Sequence, residues 1–459
     1  MPRAALPLPV ALALAASACG PGAEISALTP LDSMAVGAWV SARVSGAARA
    51  WAVATAADGA EVRSWDQAVL GDELTLALLG LAPDTDYEVV LHVQSSGSAA
   101  AQSKPMSFRS GSLPAGFPGV AAQGEAGGSG LTLLGVVSRG GSTHAAMAVD
   151  GAGRVVWYHV TGLPVTDVTR QPGDGLYSAC ETDFSASPPV ARYDVFDRAG
   201  RLLRTWSAPA GSTATDFHEL RLTLDGDALL MGSDVKPADF SGAGGPSGAM
   251  AAGDTLYRLG PSGEVRFQWS AFDHLSFDDV DPAVRLSVDA VDWTHGDAID
   301  VTQDGHYLVT FRNLDQVVKI DSQTGAVLWR LGGRRTDFAF ADDPLGGPSF
   351  PHGARELPDG HVLLFDNGNG RFPQQSRAVE YALDAARGEA RIAWQYAPPS
   401  PLFAPDLGFA QRLPGGNTLV TYGSLGRVEE VTPSGQVVWS LRSTDGFAID
   451  RAVRIDSLY

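Results

Sequence analysis

QDGHYLVTFRNLDQVVKIDSQTGAVLW, residues Gln303–Trp329, carries the pattern that decides the fold. Two apolar-alternating runs flank Asp304-Gly305, a strong short hairpin signal. A second turn glycine, Gly325, then leads into a strand that ends on Trp329. Two hairpins in succession make four antiparallel strands. The second half of the pattern occurs six times: GRVVW at Trp157, GRLLRTW at Trp206, GEVRFQW at Trp269, GAVLW at Trp329, GEARIAW at Trp394 and GQVVW at Trp439. The turn glycine stands four or six residues before the tryptophan each time. An even spacing returns the ring to the same face of its strand. The tryptophans lie 45 to 65 residues apart, the length of a four-stranded unit with its loops. Most units also carry the first hairpin, as GDGLYSA, LDGDALL, QDGHYLV, PDGHVLL or PGGNTLV. The expectation is an all-β chain with a six-bladed β-propeller over residues 131–459. The first blade shows only its later strands, so the C-terminal run AVRID, Ala452–Asp456, is expected to join it and close the ring. Closure removes exposed strand edges.

Residues 25–110 also alternate apolar and polar. LAPDTDYEVVLHV, Leu81–Val93, has the form of a tyrosine corner, with Tyr87 entering a strand whose one face carries Val89, Leu91 and Val93. A small fibronectin-III/immunoglobulin-like β-sandwich is expected there, with the Gly/Pro/Ala-rich residues 111–130 as a linker. The 53 glycines and 29 prolines fit such a strand-and-turn architecture.

The first residues, MPRAALPLPVALALAASACG, read as an export signal. Residues 1–19 are expected to form a lipoprotein-type signal, because ASAC resembles a bacterial lipobox and would leave Cys19 as a lipid-bearing N-terminus. Cleavage near Ala18 without a lipid is the alternative. The chain is then exported, to the periplasm or the cell surface, and meets the membrane through its N-terminal lipid. Cys180 alone remains inside the mature body, so no disulfide is expected within it. The net charge of −19 argues against nucleic acid as a partner.

The hairpins also carry polar groups at their open ends. With a two-residue turn at Asp359-Gly360, His352 faces Asn367. The same arithmetic sets His218 opposite Ser233, and Asp297 opposite Arg312 with His295 two residues further out. Innermost strands line a propeller's channel, so His218, His295, Asp297, Arg312, His352 and Asn367 are expected to converge at one mouth of it. A neutral imidazole is a competent nucleophile near neutral pH, and a guanidinium offers a planar fork to sulfate or phosphate oxygens. A second imidazole can protonate a leaving oxygen. The set therefore suits group transfer through a covalent histidine intermediate. Trp293 and Phe350 share strand faces with His295 and His352 and are candidates for stacking on an aromatic substrate.

THGDAIDVTQDGHYLVTFRNLDQVVKID (Thr294–Asp321), PHGARELPDGHVLLFDNGNGR (Pro351–Arg371), SRAVEYALD (Ser376–Asp384) and the closing RIDSLY (Arg454–Tyr459) resemble the bacterial arylsulfate sulfotransferases. The resemblance implies transfer of a sulfuryl group from an aryl sulfate to a phenol, ping-pong, with no metal or organic cofactor. It implies that His352 is transiently sulfated and that Arg312 and one flanking histidine hold the sulfuryl oxygens. The other flanking histidine, by preference His218 rather than His295, handles the proton. One departure stands out: the family carries Asn where this chain has Asp297, and a carboxylate facing a sulfate is unfavourable unless neutralised. Two other readings stand beside this one. Three converging histidines suit zinc or non-haem iron, against which Arg312 counts. The other reading is a lipid-tethered binding module without catalysis.

Overall fold

The computed structural model describes residues 21–95, 99–128, 130–137, 143–173, 175–287 and 289–459. Cys19 and the export signal lie outside the described residues. The chain is all-β: helix is confined to Ala271–His274 and four single 3₁₀ turns among the described residues, and no helix there is long and apolar enough to cross a membrane.

The smaller of two compact units comprises residues up to Thr29, Ala38–Leu78 and Thr85–Arg109. Its strands form two sheets, one centred on Met34–Ser45 and the other on Arg49–Ala56 paired with Asp86–Gln94. Tyr87, Val89, Leu91 and Val93 are buried while Glu88 between them is exposed, the alternation of a strand with one face on a core.

The larger unit holds six sheets among the described residues. Their first strands in chain order are Leu131–Gly135, Val165–Gln171, Ala214–Leu222, Gly296–Val301, Pro351–Glu356 and Phe409–Arg412, and the sheets are numbered 1 to 6 accordingly. Sheets 2 to 6 are built from four consecutive antiparallel strands. Sheet 1 has three and takes its fourth from the C-terminus: Ala452–Ile455 pairs antiparallel with Leu131–Gly135, Leu133 opposite Val453. First strands of sheets 2 to 6 pack side by side in order, and Ala452–Ile455 packs against Phe409–Arg412 to complete the row.

The repeated tryptophans sit on the outermost strand of the four in every sheet. Four of the indoles reach the outer turn of the next sheet. Trp157 Nε1 donates to Arg198 O at 2.9 Å, Trp269 to Gly325 O at 3.0 Å, Trp394 to Pro433 O at 3.1 Å and Trp439 to Gly151 O at 2.8 Å. The last of these joins sheet 6 to sheet 1. A large ring with one donor at its rim fills the space between sheets and also satisfies a turn carbonyl there. Each outermost pair carries one register shift.

The stretch expected to be a linker is not one throughout. Val120–Gly124 pairs antiparallel with the outer strand Val437–Ser443 of sheet 6, Val120 opposite Ser443 and Gly124 opposite Trp439. The free edge of that strand offers backbone partners, and they override the loop-like composition.

Candidate active site

The inner hairpins of sheets 3, 4 and 5 differ from the two-residue arithmetic in one common way. Each turn holds three residues: Thr223 donates to Asp227 O, Thr302 to His306 O and Leu357 to His361 O. Beyond the turn each first strand breaks its ladder, between Thr215 and Leu220, Gly296 and Ala298, and His352 and Arg355. The extra residues move every expected pairing. His352 faces Phe365, not Asn367; Ser233 faces Ala214, not His218. Asp297 falls in the break itself, and Arg312 opens the 3₁₀ turn Arg312–Leu314 after its strand. Bulges of this kind re-aim side chains, and here they gather the polar groups.

His352 is buried, at 1 % exposure, and its Nδ1 lies 2.6 Å from Asn367 Oδ1. Asn367 Nδ2 donates to Ala404 O at 2.8 Å and Leu407 O at 2.9 Å, which fixes the amide with its oxygen toward the ring. Nδ1 therefore carries the hydrogen, and Nε2 presents the lone pair. Burial pushes the His352 pKa down to about 3; Asp297 opposes this, while Arg312 and His295 add to it. The ring is neutral at physiological pH. Gly353 follows with φ 64°, and a Cβ there would meet Phe409 Cδ2 at 2.4 Å, so only glycine fits. Its N–H donates to Asp297 Oδ2 at 2.6 Å.

His218 and His295 come together from sheet 3 and the segment leading into sheet 4. Ala290–Asp292 lies parallel to Ala249–Leu259 of sheet 3, and Asp254 Oδ2 accepts from Thr294 Oγ1 and Gly296 N, both at 2.6 Å. That lacing leaves the two imidazoles 4.9 Å apart between centroids. His295 takes a positive φ of 48°, uncommon for a residue with a side chain. Its Nδ1 bonds Asp292, and its carbonyl accepts from Arg312 N at 3.0 Å. His218 Nδ1 is held by Asp216, with Oδ1 at 3.0 Å and Oδ2 at 3.1 Å. Burial would lower the His218 pKa; the Asp216 carboxylate outweighs it and the value rises to about 9. His218, His295 and Phe217 line a cavity of about 230 Å³. A void of roughly 150 Å³ suffices for benzene, so a single substituted ring fits.

Arg312 is clasped rather than paired with Asp297. Its Nη1 donates to Asn313 Oδ1 at 2.7 Å and its Nη2 to Pro405 O at 3.0 Å, while the guanidinium stands 4.7 Å from the Phe350 ring. Nε is buried and has no hydrogen-bond partner among the described residues. Burial lowers the Arg312 pKa, with Asp292, Asp406 and Asp297 opposing. Asp297 Oδ1 lies 4.0 Å from His352 Nε2, a contact with a neutral ring and not an ion pair. Burial works against ionisation of Asp297, but His352, His218 and Arg451 prevail and hold its carboxyl below the usual range.

The two rings named as stacking candidates are otherwise engaged. Trp293 is fully buried in the core against Phe277, centroids 4.5 Å apart, and Phe350 lies beneath Arg312. Alternation along a strand assigned their faces, but the positive φ at His295 and at Phe350 interrupts it. The aromatic side chain that does border the cavity is Phe217, 4.0 Å from the His218 ring. Asp216 and Asp292 were also missed; carboxylates two and three residues before the histidines, in TDFH and DWTH, were the available signal. So was Glu219, whose Oε1 receives Arg221 at 3.0 Å, Arg355 at 2.7 Å and Arg451 at 3.2 Å, tying sheets 3 and 5 to the C-terminus.

Among the described residues the group with metal-ligating geometry is Asp359, His361 and Glu380. It sits at the turn end of the sheet 5 hairpin, opposite the His352 end, and Arg412 already engages Glu380.

His218 and His295 line the cavity; His352 and Arg312 stand outside its lining, close enough that Arg312 and His295 both bear on the His352 charge. The profile of the arylsulfotransferase (ASST) family matches residues 197–444, more than half of the chain. The chain belongs to that family. A comparison with curated proteins found no match. Similar solved structures include a protein of unknown function from Bacteroides caccae, 15% identical over 72% of this chain and 100% of that one, with TM-score 0.45. A catalytically inactive virginiamycin B lyase from Staphylococcus aureus with quinupristin is 12% identical over 72% of this chain and 96% of its own, with TM-score 0.39.

Proposed function

We propose that the chain moves a sulfuryl group from an aryl sulfate to a phenol, ping-pong, through a sulfohistidine at His352. Supporting observations are the family membership and, above all, the Asn367 contact that leaves His352 Nε2 as a neutral, buried lone pair. In the first half-reaction Nε2 attacks sulfur and an N–S bond forms as the S–O bond to the aryl group breaks. The departing oxygen takes the proton from His218 Nε2. Arg312 and His295 bear on the sulfuryl oxygens, where charge accumulates. In the second half-reaction an acceptor phenol gives its proton back to His218, its oxygen bonds sulfur, and the N–S bond breaks. Every bond and proton is then restored.

The six sheets of the larger unit are read as the blades of a six-bladed β-propeller over residues 131–459, and the smaller unit as a fibronectin-III/immunoglobulin-like sandwich. Export to the periplasm or the cell surface, with Cys19 lipidated, remains part of the proposal.

The test is incubation of the purified chain with 4-nitrophenyl sulfate, with and without an added phenol. The expectation is acceptor-dependent release of 4-nitrophenol together with a sulfated acceptor. Binding of aryl sulfates with no release under any acceptor would overturn it.

A further inference from the structure

The three histidines of the site differ in what holds Nδ1. Asn367 gives His352 an amide oxygen, whereas Asp216 and Asp292 give His218 and His295 carboxylates. An amide oxygen fixes the tautomer and adds no charge. A carboxylate fixes the same tautomer and also stabilises the imidazolium. The two carboxylate pairs are unequal. His218 and Asp216 side chains are 3 % and 10 % exposed, those of His295 and Asp292 24 % and 56 %. Water screens the second pair and hardly reaches the first.

Resting on the sulfuryl-transfer reading, we propose that Asp216 is a positioning residue that makes His218 the proton carrier of the reaction. Both Asp216 oxygens lie within 3.1 Å of His218 Nδ1, and Oδ1 also accepts the His218 backbone N–H at 2.9 Å. Two residues of one bulged strand thus form a closed unit, with Nε2 as the ring nitrogen left for substrate. The charged and titratable groups around His218 are Asp216 on its own strand, Asp254 and Asp292 across the cavity, His295 beside it, and Asp297 and Asp450 from sheet 4 and the C-terminal segment. Burial raises Asp254 and Asp450 to about 7, so the negative charge that favours a protonated His218 before the donor binds comes chiefly from Asp216, with Asp297 behind it. Proton delivery matters in proportion to the basicity of the leaving oxygen. The carrier therefore decides which aryl sulfates serve as donors.

The experiment compares wild type with Asp216→Asn, which keeps an acceptor for the His218 amide and removes the charge. Phenol release is followed in single turnovers with phenyl sulfate, a poor leaving group, and 4-nitrophenyl sulfate, a good one. The expected loss is about 10²-fold or more with phenyl sulfate and under about tenfold with 4-nitrophenyl sulfate. An equal loss for both donors, or none for phenyl sulfate, overturns the proposal. In parallel, the His218 ring is titrated by nitrogen NMR in the full-length chain without substrate. Its midpoint, about 9 in wild type, is expected to fall by more than one unit in Asp216→Asn. An unmoved midpoint overturns the proposal on its own. A wild type inert toward every aryl sulfate, with the midpoint shift intact, instead removes the sulfuryl-transfer reading and leaves the dyad standing.

Discussion

His352 Nδ1 and Asn367 Oδ1 are 2.6 Å apart, although their backbones are not paired in the sheet. The contact runs from the first residues of one strand to the loop after the next, and the amide is anchored by two carbonyls. Asn367→Ala removes the tether and leaves those carbonyls of Ala404 and Leu407 short of a donor. We expect kcat to fall about 10²-fold with KM little changed, since orientation of the nucleophile is lost and not the binding surface. Steady-state kinetics on one aryl sulfate checks this; an unchanged kcat contradicts it.

Asp297 Oδ1 lies 4.0 Å from His352 Nε2, the atom proposed to receive the sulfuryl group. Two unit charges 4 Å apart repel by about 4 kcal/mol at an effective dielectric near 20, and Arg312 cancels only part of that. Asp297→Asn keeps an acceptor for Gly353 N and replaces a repelling oxygen with a donor. We expect kcat/KM for aryl sulfates to rise about tenfold. A fall of that size would mean that Asp297 assists His352 instead.

The pH profile follows from two shifted imidazoles. His352, its pKa pushed down to about 3 by burial, is neutral and nucleophilic above that value. His218, with Asp216 outweighing burial to raise it to about 9, is protonated below that value. The donor half-reaction therefore needs a pH above the first and below the second. Single-turnover rates with phenyl sulfate are expected to stay level through neutrality and to fall above about pH 9. A fall beginning near pH 6.5 would show an ordinary histidine in the role.

Trp439 tests the fold. Its indole donates to Gly151 O and is the clip between sheets 6 and 1. Trp439→Phe keeps most of the ring and removes the donor. The expected loss is about 1–2 kcal/mol in urea unfolding of the full chain. Stability equal to wild type would assign the tryptophan to packing alone.

The sheets were legible because two hairpin signatures and a tryptophan recur at a spacing that strands impose. The pairing of Ala452–Ile455 with sheet 1 was legible for the related reason that one unit lacked a strand. Register was not. A three-residue loop and a bulge leave no distinct mark between Asp225-Gly226 or Asp359-Gly360 and the histidines, and together they displaced each expected pair. His352 and Asn367 still meet because long side chains bridge what the ladder separates. The chemistry-bearing residues could be named from their types. The carboxylates behind them, in TDFH and DWTH, gain their meaning only from the fold, which turns Asp216 through a break in its ladder and Asp292 through its pairing with sheet 3.

The central claim is that sulfur is carried on His352. The direct measurement is intact-mass analysis of the chain mixed with aryl sulfate in the absence of acceptor and kept alkaline, followed by peptide mapping. A single added sulfuryl group on the peptide containing His352, discharged when a phenol is supplied and missing in His352→Ala, is the expected result. Turnover that proceeds with no adduct at any time, or an adduct that persists in His352→Ala, would contradict the account.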